Sequence, residues 1–188
     1  LYPKVKTLLE KGLLKKIVVS SMQEALPFPI KQLFGLLKRK EISSVTYDRH
    51  HVRWQELLNH DPIEKAPDIS ITKDIAVLQY TGGTTGTPKG AVLTHQNVYV
   101  NALQSSLWCD VDPLGEGRTL AVLPFFHVFA MTAVMNYSLI RGNCMILHPR
   151  FELEKVLKDI HKKKPTAMPG VPTMYNAIIH AKHLKKYN

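Results

Sequence analysis

The sequence predicts an α/β protein, part of a layered sheet-and-helix domain, on three observations. Helical and strand-like segments alternate along its 188 residues. Two short β-rich runs, at 75–80 and 91–93, flank a loop crowded with glycine and threonine. Further on, Leu153, Val156, Leu157 and Ile160 recur at i, i+3, i+4 and i+7, the spacing of one helical face.

The elements follow in order. Residues 1–11 carry an amphipathic helical pattern through Val5, Leu8 and Leu9, and Gly12 is its stop signal. A strand is expected over 16–20. A helix is expected over 28–40, after Pro27 and Pro29, and a short one over 54–60, closed by Asp61 and Pro62. The Pro- and Asp-rich stretch 61–73 reads as a surface connection into a strand at 74–80. After the loop and the strand at 91–93, Thr94 is the N-cap of a helix running to Trp108. A strand over 118–123 ends at Pro124. The mostly apolar stretch 127–140 is a helix buried on several sides, and Gly142 separates it from a strand at 144–147. The helix that begins near Leu153 has Glu152 and Glu154 at its positive end and Lys162, Lys163 and Lys164 at its negative end, until Pro165 stops it. Residues 166–168 are expected as a strand, and Pro172 opens a last helix at its first position.

Length bounds the chain to about one domain, and an apolar content of 45% is ample for a core. No apolar run approaches the length of a membrane span, and no signal peptide is visible. Cys109 and Cys144 lack metal-binding spacing and read as reduced thiols of a cytosolic protein. The net charge of +10 is uneven. Residues 1–40 hold nine Lys/Arg against two acids, 41–149 seven against ten, and 150–188 nine against three. No zinc-finger spacing or aromatic RNA-binding signature accompanies these lysines, which argues against a nucleic-acid partner.

The loop carries the chemistry. Thr81, Gly82, Gly83, Thr84, Thr85, Gly86, Thr87, Pro88, Lys89 and Gly90 follow one another. Glycines admit positive φ and let backbone N–H groups close on a ligand, and successive N–H groups make an anion nest. Threonine hydroxyls add donors and Lys89 adds a point charge. Polyphosphate suits such a loop. The Walker pattern fails, because Lys89 follows Pro88 and Gly90 comes after it. No dinucleotide fingerprint occurs either. A bare, ligand-free turn needs neither the lysine nor the threonines.

Residues 78–95, from Leu78 through that loop to His95, resemble the AMP-binding signature of the adenylate-forming superfamily. That superfamily includes acyl-CoA synthetases, luciferases and peptide-synthetase adenylation domains. Two more motifs agree with it: Leu-Pro-Phe-Phe-His-Val-Phe at 123–129 and Pro-Gly-Val-Pro-Thr-Met-Tyr at 169–175. Their flavour is most similar to bacterial long-chain fatty acid–CoA ligases. The resemblance covers nearly the whole chain but part of the family's length. It implies a single partial domain over 1–188, cut from the large N-terminal domain. The magnesium-binding glutamate, the ribose-binding aspartate and the small C-terminal domain with its catalytic lysine are expected elsewhere in the parent. The piece alone is expected to be inactive.

The resemblance further implies the reaction: a fatty acid and ATP form an acyl adenylate and pyrophosphate, then coenzyme A yields acyl-CoA and AMP. Thr81, Thr84 and Thr85, with the intervening glycine N–H groups, are implied to donate to the β- and γ-phosphates. Lys89 would neutralise phosphate charge or steady the loop. His127 would orient carboxyl oxygens, against the plainer reading of a histidine that caps backbone groups. Phe126 and Phe129 would line or gate an acyl tunnel, or belong to ordinary core, and Gly170 would stand near the pocket wall or simply start a helix. Mg²⁺ is implied through ATP, with no ligand in this chain. A medium-chain or aryl acid ligase, an adenylation domain and a non-catalytic polyanion-binding module remain alternatives.

Outside these motifs, His95 reads as capping or packing. His180 and His183, expected on one helical face, and His50 with His51 lack a third metal ligand. Residues 26–40 join Phe28, Ile30, Leu33, Phe34, Leu36 and Leu37 to a basic cluster at Lys38, Arg39 and Lys40. Such a segment either docks on the core or rests on an anionic bilayer, giving a cytoplasmic protein peripheral on the inner face of the membrane. Oligomeric state is not legible.

Overall fold

In a computed structural model, the chain divides into two compact units, Leu1–Pro67 and Asp68–Asn188. The structure describes residues 2–37, 43–59, 61–81, 86, 88–109 and 111–187.

The first unit begins with helix α1 (Tyr2–Glu10), which Gly12 ends at φ 71°. Strand β1 (Ile17–Val19) pairs in parallel with β2 (His51–Arg53), Ile17 opposite His51. A 3₁₀ turn (Met22–Ala25) opens on Ser21, whose hydroxyl accepts from Gln23 N while Glu24 reaches back to Ser21 N. Helix α2 (Ile30–Leu37) follows, and β2 runs directly into α3 (Trp54–Leu58). Strand β2 has no sequence signal, because His-Val-Arg lacks alternation and turn punctuation. Tertiary packing explains it. His51 is buried, donates from Nδ1 to Asp48 Oδ1 at 2.8 Å, and lies edge-on to Tyr2 with Nε2 3.2 Å from the phenol oxygen. The side-chain hydrogen bond from His51, with the backbone N–H of His50, holds the Asp48 pKa down at about 2.

The second unit starts with a hairpin, β3 (Ile75–Thr81) antiparallel to β4 (Lys89–Thr94), with Thr81 opposite Lys89 and a register shift between Ile75 and Val77. Helix α4 (His95–Trp108) begins at Thr94, whose hydroxyl accepts from Asn97 N at 3.3 Å while Asn97 Oδ1 accepts from Thr94 N at 3.0 Å. Strand β5 (Arg118–Ala121) pairs in parallel with β6 (Cys144–Leu147). Between them runs one helical stretch: α5 (Val128–Ala130), a π-helical segment (Met131–Asn136) and α6 (Tyr137–Arg141). Gly142 closes it at φ 68°, a left-handed conformation that glycine adopts without strain.

Helices α7 (Leu153–Lys163) and α8 (Pro172–Ile179) complete the unit, with Pro172 at the start of α8. The core lies under β5 and β6. Leu120, Val122, Ile146 and Val156 form one buried cluster; Ala121, Ala130 and Val134 form a second against the π segment. Asp159 of α7 clips β6 to the helix, its Oδ2 3.0 Å from His148 Nε2 and 2.9 Å from Lys163 Nζ.

Two expectations need correction. Residues 166–168 contribute a single parallel bridge, Thr119 to Ala167, rather than a strand, because Pro165 and Pro169 cannot donate to a ladder on either side of it. His180 and His183 do not share a helix, since α8 ends at Ile179; His180 Nδ1 instead bonds Asn176 O at 2.9 Å. Among the described residues no cluster of three or more His, Cys, Asp or Glu could hold a metal ion, and no helix is long and apolar enough to cross a membrane. Cys109 and Cys144 are free and exposed.

Candidate active site

The hairpin presents the ends of the Thr/Gly loop. Strand pairing fixes Thr81 and Lys89 opposite each other, and Thr81 Oγ1 donates to Lys89 O at 3.4 Å. Both side chains are exposed. Gly86 takes φ 84°, where a side chain would be strained. Gly82, Gly83, Thr84, Thr85 and Thr87 lie outside the described residues. Beyond Lys89 the strand leads into α4 through the Thr94 cap. The loop exit and a capped helix start are therefore one continuous structure.

The opposite end of α4 borders a second feature. A predominantly apolar cavity of about 580 Å³ is lined by Trp108, Cys109, Phe129, Ala133, Tyr137 and Pro169, among others. The cavity draws on Gln104, Ser105 and Trp108, which lie about 14–20 Å along α4 from its first residue, His95, at 1.5 Å per residue. Tyr137 is buried, and its hydroxyl donates to Cys109 O at 2.8 Å, which ties the π-bearing stretch to the end of α4. Phe129, Ala133 and Tyr137 stand four residues apart in succession, and the wider π turn keeps them along one side of the helix.

His127 stands where β5's extension turns into α5. Its Nδ1 accepts from Phe129 N at 3.3 Å, so it caps the helix, and the accepting nitrogen places the ring proton on Nε2. The side chain is exposed, which leaves Nε2–H free to donate outward. Phe129 lines the cavity. Phe126 is 86% exposed and stands apart from that lining. Gly170 follows the lining residue Pro169. A Cβ there would come within 3.2 Å of Tyr175, whose hydroxyl donates to Met168 O at 2.7 Å. Glycine at 170 thus lets the first turn of α8 fold back on the 168–170 segment.

Sequence reasoning did not single out Trp108, Cys109, Ala133 or Tyr137. Trp108 is 90% exposed at a helix end, and that apolar terminus next to the Gly142-closed helix was the available signal. The π segment has no sequence signature of its own.

Residues 6–188 match the family model described as AMP-binding enzyme. The whole chain is 38% identical to the long-chain-fatty-acid–CoA ligase of Bacillus subtilis (strain 168), of which it spans 34%. It is 30% identical to 4-coumarate–CoA ligase 1 of Arabidopsis thaliana, over 92% of this chain and 28% of that enzyme. Among solved structures, O-succinylbenzoate coenzyme A synthetase (MenE) of Bacillus subtilis, in complex with ATP and magnesium ion, superposes with a TM-score of 0.58. The identity is 30%, over 71% of this chain and 28% of that one. ATP-bound MatB of Rhodopseudomonas palustris gives 0.54 at 30% identity, over 63% of this chain and 22% of that one. The chain spans about a third or less of the relatives it matches. With the signature hairpin, the α/β architecture and the family match in agreement, the chain belongs to the AMP-binding enzyme family of the adenylate-forming superfamily.

Proposed function

We propose that this chain is the phosphate-loop portion of an ATP-dependent fatty acid–CoA ligase. The observation that carries the reading is the β3–β4 hairpin, which delivers Thr81 and Lys89 side by side at the mouth of the Thr/Gly loop. ATP and coenzyme A are the co-substrates, Mg²⁺ arrives with ATP, and a cytoplasmic location goes with them. The 1–188 segment is one part of a larger N-terminal domain, and alone it does not turn over.

In the first step a carboxylate oxygen attacks the α-phosphorus of ATP and the bond to pyrophosphate breaks. In the second, the coenzyme A thiolate attacks the acyl carbonyl carbon and AMP leaves with the bonding electrons. Such transfers depend on positioning and on stabilising the charge that develops. Thr81, Thr84, Thr85 and Thr87 donate hydroxyls to the β- and γ-phosphates, joined by the N–H groups of Gly82, Gly83 and Gly86. Lys89 offsets phosphate charge. His127 holds a carboxyl oxygen through Nε2–H. The apolar cavity beyond, with Phe129 in its wall, takes the acyl tail; Phe126 and Gly170 flank its approach.

The support for a fatty acid over an aryl acid is the apolar lining of that cavity and the similarity to the Bacillus subtilis ligase. ATP–pyrophosphate exchange by the full-length parent, measured with fatty acids of graded length and with coumarate, tests the reading. Exchange that rises with chain length is expected. Exchange with coumarate alone overturns the fatty-acid assignment, and exchange with no acid overturns the ligase. His127→Ala is expected to lower exchange while leaving ATP binding intact.

A further inference from the structure

The stretch between α4 and β5 is held by helix α6. Helix α4 ends at Trp108, and Cys109 and Val111, just beyond it, line the apolar cavity. Residues 111–117 carry no helix or strand, so their placement depends on bonds from elsewhere. Three such bonds come from α6. The Tyr137 hydroxyl donates to Cys109 O at 2.8 Å, the Arg141 guanidinium donates to Asp112 O, and Gly115 N donates to Arg141 O at 2.8 Å. Tyr137 and Arg141 stand four residues apart, on one face of the helix, and both are buried.

Packing alone requires neither polar group. Phenylalanine would fill the place of tyrosine with no hydroxyl to satisfy. Arginine is seldom buried, because its charge is costly away from water unless hydrogen bonds satisfy it. The work of the two side chains is to fix backbone. Tyr137 lines the cavity while its hydroxyl grips Cys109, so one side chain spans from the helical wall to the loop wall.

We propose that Tyr137 and Arg141 are positioning residues. By holding Cys109, Asp112 and Gly115 on α6 they fix the width of the cavity and so exclude acids with bulky tails. The proposal rests on the reading that this cavity takes the acyl tail.

The full-length parent carrying Tyr137→Phe, Arg141→Met or Arg141→Lys tests it in two ways. Amide hydrogen exchange reports the strap without any reaction. The amides of 111–115 should exchange about fivefold faster in Tyr137→Phe and Arg141→Met, with Arg141→Lys closer to wild type. ATP–pyrophosphate exchange reports the cavity. The ratio of kcat/KM for a methyl-branched acid over a straight-chain acid of equal carbon number should rise about tenfold in the same two variants. KM for ATP should hold, and Arg141→Lys should restore most of the wild-type ratio. Should Arg141→Met melt early, Tyr137→Phe, which removes a single oxygen, decides. Unchanged amide exchange overturns the strap. Faster amide exchange with an unchanged acid ratio shows a structural tie only and overturns the positioning role, as does a KM for ATP that rises with that for the acid. A wild-type parent that responds to no acid, branched or straight, fails the ligase reading and overturns both.

Discussion

The β3–β4 hairpin and the β5–β6 pair are built to different ends within one unit. In β5, Thr119, Leu120 and Ala121 are buried, and helices cover the pair. Among the described residues of the hairpin none is buried; Leu78, Tyr80 and Val92 are each more than half exposed. The hairpin is ordered by its ladder and by the local Thr94 cap, the parallel pair by apolar burial. Stability and the groups assigned to chemistry are thereby segregated, so damage to one need not damage the other.

The sharpest way to break this contrast is in the parallel pair. Leu120→Ala removes a fully buried side chain and is expected to destabilise the fold by about 2–5 kcal/mol, read as a fall in the denaturation midpoint. A loss under about 1 kcal/mol would show that the second unit's core lies elsewhere. Next in size comes Lys89→Ala on the hairpin. In the full-length parent it is expected to lower the adenylation rate by about 10²–10³-fold, while stability moves by no more than about 0.5 kcal/mol because the side chain is exposed. A large drop in stability with normal exchange would reverse the division of labour.

The smallest effect sharpens the contrast by pH. Burial pushes the Asp159 pKa up, but the hydrogen bond and charge of Lys163, with His148, outweigh it and leave it lowered. A depressed carboxylate contributes stability above its unfolded pKa and loses it as pH falls through the folded value. The second unit should therefore weaken on the acid side of about pH 4, and Asp159→Asn should flatten that slope by about 1 kcal/mol or less. Melting temperature against pH for both forms checks the sign. A variant that instead loses stability as pH rises would refute the clip between β6 and α7.

Much of the second unit is legible in sequence because its signals are local. The Gly/Thr/Pro punctuation at 81–90 marks a hairpin turn whatever surrounds it. Thr94, Gly142 and Pro172 each set a helix end through their own backbone chemistry. Strand β2 escaped because its order comes from contacts His51 makes with Tyr2 and Asp48, 49 and 3 residues away. The strand expected at 166–168 shrank to one bridge because flanking prolines decided its pairing. The apolar cavity was half legible: Phe129 came from a motif, whereas Ala133 and Tyr137, four and eight residues further along the same helical face, carry no motif to mark them. Charge and apolar content at 26–40 left a choice between core and bilayer; Ile30 and Leu33 of α2 are exposed and Phe34 is half-buried, while Lys38, Arg39 and Lys40 lie outside the described residues.

The π-helical segment also has an evolutionary reading. One residue removed between 131 and 136 would restore ordinary α geometry. The wide turn takes up one extra residue, so His127 and Phe129 on one side and Tyr137 on the other would keep their mutual orientation, and only the middle of the stretch would change register. A single codon's deletion is thus a local edit, which resets the side chains between 131 and 136 while the residues at the two ends stay aimed as they are.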